Sequence, residues 1–172
     1  MVKANLIVSY DPSHISSAKD EVSNILKDIK GEAKFLKPNI DGVFEINVKN
    51  AKNTVKKLNK EFAKRKKLFE RTFHWVPIDK WCKAEIKKMQ AEIKKFAKGI
   101  KKNDKWKMEL NKRSYGKHGT TELILKLTEI VENPKVDLEK PGKIIKVEII
   151  GNKAGLSLLN PDEILDVPKK KK

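Results

Sequence analysis

Apolar positions along the chain switch between two periods, and the switches mark out its elements. Residues 4–10 form a mostly apolar stretch, short enough for one buried strand, that ends at the turn residues Asp11-Pro12-Ser13. Ile15, Ala18, Val22, Ile25, Leu26 and Ile29 then recur at spacings of three and four, the signature of one buried helix face, with Gly31 placed to end it. Residues 33–37 and 43–48 are predicted strands on either side of Pro38-Asn39-Ile40-Asp41-Gly42, whose Asp-Gly pair favours a turn. A helix over 50–66 turns Val55, Leu58 and Phe62 inward, and a strand over 69–76 is stopped by Pro77.

Beyond Pro77 the pattern begins again. Trp81, Ile86, Met89, Ile93, Phe96 and Ile100 predict a long helix over 79–100, ended by Gly99 and the polar run 101–104. Trp106, Met108 and Leu110 alternate with Lys107, Glu109 and Asn111, which predicts a strand over 105–112. After a loop at 114–119, Leu123, Leu127 and Ile130 mark a helix, with Thr120 as its expected cap and Glu122 in its first turn. Strands over 144–150 and 154–159 follow, joined by Gly151-Asn152-Lys153. The first half has the order β-α-β-β-α-β, the ferredoxin-like arrangement, in which two helices cover one face of a four-stranded antiparallel sheet. The second half has the order α-β-α-β-β. The expected class is α+β, with a ferredoxin-like domain over 1–76, a second domain over 77–165 and a basic tail over 166–172 too polar to pack.

Composition narrows the function. Forty lysines and arginines face 23 carboxylates, a net charge of +17 and a pI near 9.8, so the partner is a polyanion: nucleic acid or an anionic membrane. No apolar run approaches the roughly 18 residues that span a bilayer, and no signal-peptide core follows Met1, which disfavours the membrane. Cys82 is the only cysteine, which agrees with a reducing, cytoplasmic setting. His14, His74 and His118 are too scattered for a metal site, and neither a Walker loop nor a dinucleotide fingerprint occurs. With no convergent acid, base and nucleophile either, the expectation is a protein that is not an enzyme and needs no cofactor.

The loop after the 105–112 strand is the sharpest local feature. Lys112, Arg113, Lys117 and His118 gather cations beside Gly116 and Gly119, where small residues and a helix start admit a phosphate. Tyr115 offers a stacking surface for an unpaired base. The alternative is a solvated, turn-forming loop. The candidate RNA-contacting set is Lys107, Lys112, Arg113, Tyr115, Lys117, His118 and Thr120, and Arg113→Glu is expected to weaken RNA binding without unfolding the chain. Lysine stripes add phosphate contacts without base specificity: Lys83, Lys87, Lys88, Lys94, Lys95, Lys98, Lys101 and Lys102 along one helix, and Lys56, Lys57, Lys60, Lys64, Arg65, Lys66 and Lys67 along another.

From Phe73 onward an ordered set of segments resembles the THUMP family. The segments are Val76-Pro77-Ile78-Asp79, the run from Trp106 to Arg113, Thr121-Glu122-Leu123-Ile124, Val136-Asp137-Leu138-Glu139-Lys140-Pro141, and Ile144 to Ile150 with Gly155-Leu156-Ser157. The resemblance implies an RNA-binding module of tRNA thiolation, methylation and acetylation proteins. It is commonly preceded by a ferredoxin-like domain, and its stretch matching the 112–119 loop is associated with the 3′ single-stranded end of tRNA. Most family members then attach a catalytic domain. The chain is expected to lack room for one, so it is similar to the stand-alone type that presents tRNA to a separate RNA acetyltransferase forming N4-acetylcytidine. It departs from that type at His74, where a basic residue, usually arginine, is expected three places before Pro77. The competing functions are a broad RNA or DNA binder of architectural or ribosome-associated type, and a small enzyme with an unrecognised site.

Overall fold

The apolar alternation of the first half closes into an antiparallel sheet in the computed structural model, which describes residues 2–172. The chain divides into two units, one reaching to Ile78 and including Asp162–Lys172, the other Asp79–Pro161. In the first, β1 (Leu6–Tyr10), α1 (Ile15–Asp28), β2 (Ala33–Phe35), β3 (Val43–Val48), α2 (Ala51–Lys64) and β4 (Thr72–Pro77) follow one another. The strands pair antiparallel in the order β2-β3-β1-β4. Val8 lies opposite both Phe44 and Trp75, so one face carries Leu6, Val8, Tyr10, Phe44, Ile46 and Trp75. These pack with Val22, Ile25 and Leu26 of α1 and Val55, Leu58 and Phe62 of α2, which is the ferredoxin-like arrangement.

Local chemistry sets the ends of these elements. The Asn50 side chain accepts the Asn53 N–H at 3.1 Å and starts α2. At the end of α1 the left-handed residue is Lys30 (φ 57°), one place before the expected Gly31, whose N–H donates to the Leu26 carbonyl at 2.8 Å. Glu21 reaches from α1 to accept the N–H groups of Glu70, Arg71 and Thr72 at 2.8–2.9 Å, fixing the entry to β4.

The tail departs from expectation. A short strand, Leu165–Asp166, pairs with β4, and a single helical turn, Val167–Lys170, follows it. Leu165 and Val167 are buried in the first core. The Asn59 amide donates to the carbonyls of Asp162 and Ile164, and Lys171 Nζ donates to the Phe69 carbonyl at 2.6 Å. Residues 166–172 are therefore not a free basic tail. Two apolar anchors, one just before that run and one inside it, are enough to seat a lysine-rich segment, because lysine stems leave their charged ends in water.

In the second unit β5 (Lys80–Lys83), α3 (Ile86–Ala97), β6 (Trp106–Arg113), α4 (Thr120–Thr128), β7 (Lys143–Ile150) and β8 (Lys153–Leu159) build a sheet of order β5-β8-β7-β6. β6 and β7 run parallel, joined through α4, and the other pairs are antiparallel. Met89 and Ile93 of α3 and Leu123 and Leu127 of α4 cover Met108, Leu110, Ile145, Val147, Ile149 and Leu156. The predicted helix over 79–100 is thus a strand and then a shorter helix. Trp81 and Cys82 lie on β5 opposite Gly155 and Ala154, and Lys153 Nζ sits 4.4 Å from the centre of the Trp81 ring. The step from Trp81 to Ile86 is five residues, which breaks helical spacing where the structure does.

Candidate nucleic-acid interface

Alternation along β6 sends Trp106, Met108 and Leu110 into the core and leaves Lys107, Glu109, Asn111 and Arg113 on the opposite face. In-register pairing with β7 brings Lys146 and Glu148 beside them. The result is a ladder of charge. Lys107 pairs with Glu109, and Lys146 Nζ lies 3.4 Å from both Glu109 and Glu148. The Asn111 amide donates to Glu148 at 3.2 Å, and Arg113 Nη1 donates to it at 3.0 Å. Glu148 is 1% exposed, so the ladder is structural as well as electrostatic. Burial raises the Glu109 pKa, but Lys146 and Lys107 outweigh it and hold the carboxyl below its ordinary value.

This geometry sorts the predicted site residues. Lys107 is buried and bound to Glu109 near the start of β6, so it is a rung of the ladder and not a free cation for RNA. Arg113 ends the ladder with a half-buried guanidinium, one side committed to Glu148. Lys112 Nζ donates to the His118 carbonyl at 3.2 Å and braces the loop, while His118 Nδ1 lies 3.0 Å from Glu122. Lys117 is exposed at the loop tip. Ser114 adopts φ 54°, a left-handed turn that reverses the chain directly after Arg113.

Two expectations change. Thr120 is the first residue of α4 and not its cap; Gly119 holds the cap position without a side-chain hydrogen bond. Tyr115 packs its ring against the second core and encloses its hydroxyl, which has no hydrogen-bond partner among the described residues. Burial, with Glu122 nearby, raises its pKa. It lines a cleft of about 520 Å³ together with Lys83, Glu85, Ser114, Gly116, Lys117 and Asn152. Lys83, Glu85 and Asn152 were not expected there. A helix over 79–100 would have left residues 83 and 85 on its surface, whereas β5 runs antiparallel to β8 and ends beside the Gly151-Asn152 turn. Gly151 takes φ 62° in that two-residue hairpin, and its N–H donates to the Arg113 carbonyl at 2.9 Å, tying the turn to the end of β6.

The lysine stripes divide in the same way. Lys87, Lys88, Lys94 and Lys95 of α3 and Lys98 just after it are exposed, with Lys95 near Glu92 at 3.4 Å. On α2, Lys57, Lys60 and Lys64 are exposed, while Arg65 is paired with Glu61 at 2.9 Å and Asp28 at 3.6 Å and Lys56 lies 3.7 Å from Glu163. His74 accepts no such surface role: its ring lies 3.1 Å from Ser9 Oγ and 3.4 Å from Asp166. No helix of the described residues is long and apolar enough to cross a membrane.

Comparison with known proteins matches the second unit to a family. Residues 83–159 match the model of the THUMP domain. No curated protein matches the chain in sequence. Among solved structures, PH1313 from Pyrococcus horikoshii superposes with a TM-score of 0.58 at 16% identity, over 90% of this chain and 54% of its own. TrmN from Thermus thermophilus gives 0.57 at 13% identity, over 89% and 44%. A possible methylase from Clostridium difficile 630 gives 0.57 at 11% identity, over 91% and 41%. The chain thus spans about half the length of these structures, and at such identities the likeness is one of fold. An α+β chain with a ferredoxin-like N-terminal region, it carries a THUMP domain at residues 83–159.

Proposed function

We propose that the chain binds tRNA through its THUMP domain and presents it, without catalysis of its own, to a separate modification enzyme, an RNA acetyltransferase. THUMP is a tRNA-binding domain found in tRNA-modifying enzymes. The observation that carries the proposal is the end of β6 and its loop, where Arg113 and the braced Lys112 end the strand and Lys117 and Tyr115 line the cleft that follows. An unpaired 3′ end of tRNA offers what that edge can hold: phosphates for the cations and bases with open faces. The exposed lysines of α2 and α3 supply further phosphate contacts that carry no sequence preference.

The test is a binding titration with intact tRNA, tRNA lacking its 3′ single-stranded end, and duplex DNA, each at two salt concentrations. Preference for intact tRNA that survives the higher salt is the expected result. Equal binding to all three, erased by salt, supports the second reading: a broad RNA or DNA binder driven by the net charge of +17. The adaptor role has its own check. Purified protein incubated with tRNA and acetyl-CoA, ATP or S-adenosylmethionine is expected to leave every nucleoside unchanged, and any modified nucleoside overturns it.

A further inference from the structure

The cleft beside Tyr115 carries one group that a phosphate site does not need. Around its volume of about 520 Å³ the exposed polar residues are Lys83, Glu85, Ser114, Lys117 and Asn152, whereas the Tyr115 hydroxyl is enclosed. Lys83 and Lys117 suit a phosphate. Glu85 opposes them as the one carboxylate among the lining residues, and it forms no ion pair with any described residue. It holds the N-cap position of α3, yet its side chain accepts no hydrogen bond there. Of the other carboxylates near this loop, Glu122 lies 3.0 Å from His118 and Glu148 is buried against Arg113.

Three backbone segments wall the cleft, and hydrogen bonds tie them together. The Ala84 N–H donates to the Asn152 carbonyl at 2.9 Å, and the Gly151 N–H to the Arg113 carbonyl at 2.9 Å. The Glu85 N–H donates to the Lys83 carbonyl at 2.8 Å. Lys83 and Glu85 are two residues apart, so their side chains leave the backbone no more than about 7 Å from each other. A cation and a carboxylate thus stand side by side on a fixed frame, which lowers the ordering cost for a ligand that needs both.

We infer that the cleft takes a terminal RNA nucleotide whose ribose carries both free hydroxyls, and that Glu85 is the residue that selects it. An ionised carboxylate only accepts hydrogen bonds, so it turns away a phosphate and takes a neighbouring pair of donors. The vicinal 2′- and 3′-hydroxyls of a terminal ribose are such a pair, and they lie a short way from the 5′-phosphate that Lys83 and Lys117 attract. A nucleotide inside the chain, or at its 5′ end, has a 3′-phosphodiester in place of the second hydroxyl. That phosphodiester brings a negative charge up to Glu85. A DNA end lacks the 2′-hydroxyl. Adjacent N–H donors on a guanine edge are the competing fit. The role of Glu85 rests on the RNA-binding reading of the same cleft and adds to it the group that is read.

The experiment measures the affinity of the full chain, at one salt concentration, for a single tRNA prepared with different ends. The ends are the 2′,3′-diol, a 3′-phosphate, a 2′,3′-dideoxy nucleotide, and a diol on guanosine in place of adenosine. Wild type is expected to favour the diol about tenfold or more over the 3′-phosphate and about fivefold over the dideoxy end. Glu85→Gln is expected to bind the diol end more weakly and the 3′-phosphate end more tightly, bringing the two within about threefold. Its melting temperature should hold, since Glu85 is exposed and unpaired. Lys117→Gln is expected to weaken all ends alike. Equal wild-type affinity for the diol, phosphate and dideoxy ends, with intact tRNA still preferred to tRNA lacking its 3′ single strand, overturns the inference and leaves RNA binding standing. No preference for intact tRNA overturns both. Full discrimination kept in Glu85→Gln removes Glu85 from the role. Affinity that follows the terminal base and not its hydroxyls assigns Glu85 to a base edge and also overturns the inference.

Discussion

Replacing Arg113 tests the charge ladder and the RNA site together, and the structure says that the two effects must be separated. Glu148 is 1% exposed and has three polar neighbours, Arg113 at 3.0 Å, Asn111 at 3.2 Å and Lys146 at 3.4 Å. Removing one partner of a fully buried ion pair costs about 3–5 kcal/mol. Here Lys146 and Asn111 remain, and the Arg113 side chain is 28% exposed, so roughly half of that, about 2 kcal/mol, is expected for Arg113→Gln. Arg113→Glu adds a second carboxylate. Two such charges about 6 Å apart at an effective dielectric of about 20 repel by ~3 kcal/mol, for a total near 4–5 kcal/mol. The melting transition should then fall by roughly 10 °C or more. This revises the expectation from sequence that Arg113→Glu spares the fold. The assay is a thermal melt of Arg113→Gln, Glu148→Gln and the double variant, read as a cycle, with Arg113→Glu alongside. Coupling of about 1–3 kcal/mol is expected. Strictly additive losses, or an Arg113→Glu melt within about 2 °C of wild type, would refute the reasoning. Arg113→Gln, which keeps most of the fold, is then the variant for RNA work, and it should lower the salt slope of tRNA binding by about one unit.

Four further outcomes follow from particular contacts. Deleting residues 162–172 removes Leu165 and Val167 from the first core and should cost about 3–6 kcal/mol, at about 1.5–3 kcal/mol for each buried side chain, seen as lost hydrogen-exchange protection in β4 with the second unit unaffected. Glu21→Ala leaves the N–H groups of Glu70, Arg71 and Thr72 without their acceptor and should destabilise the first unit by about 2 kcal/mol, so a melt unchanged from wild type would show that water replaces the carboxylate. Burial, helped by Glu92 and Glu85, pushes the Cys82 thiol up to about 11 from 9.0, so thiolate-dependent alkylation at pH 8 should run about a hundredfold slower in the native than in the unfolded chain. Glu109 is held below its usual pKa of 4.5 by Lys146 and Lys107; its contribution to stability is complete above that value and is lost as the pH falls through the lower folded value, so Glu109→Gln should flatten the acid limb of a stability–pH curve.

The first half was legible because its signals agree. Period and turn chemistry put five of its six elements within two residues of their place, and β4 starts three residues later than expected. The register Val8–Phe44 and Val8–Trp75 follows from keeping apolar side chains on one face. Where one signal acted alone it misled. Hydrophobicity alone joins Trp81 to Ile86 across a step of five positions, and that hides β5 inside a predicted helix. With it went the neighbours that β5 brings to the Gly151-Asn152 turn, including Lys83 and Glu85. A four-residue strand at a sheet edge has too few positions for a period to be read. The C-terminal segment failed for a related reason, since one apolar side chain among four lysines leaves no pattern, yet Val167 needs only a place beside Leu165.

The site residues show what composition conceals about charge. A count of cations treats Lys107, Lys112, Arg113 and Lys117 as equivalent, and pairing across a parallel register makes them unequal. Lys107 is spent on Glu109, Lys112 braces a carbonyl, Arg113 is half committed to Glu148, and Lys117 is exposed. The ladder from Lys107 to Arg113 holds three cations and two carboxylates, so nearly all its charge is used internally. What it supplies to a ligand is orientation: a guanidinium with one edge fixed by a buried carboxylate has less rotamer freedom left to lose on binding a phosphate. A lysine at position 113 would keep the charge and lose that fork. Arg113→Lys should therefore bind tRNA more weakly than wild type even where its melt is unchanged, and equal affinity would mean that the loop holds RNA by charge alone.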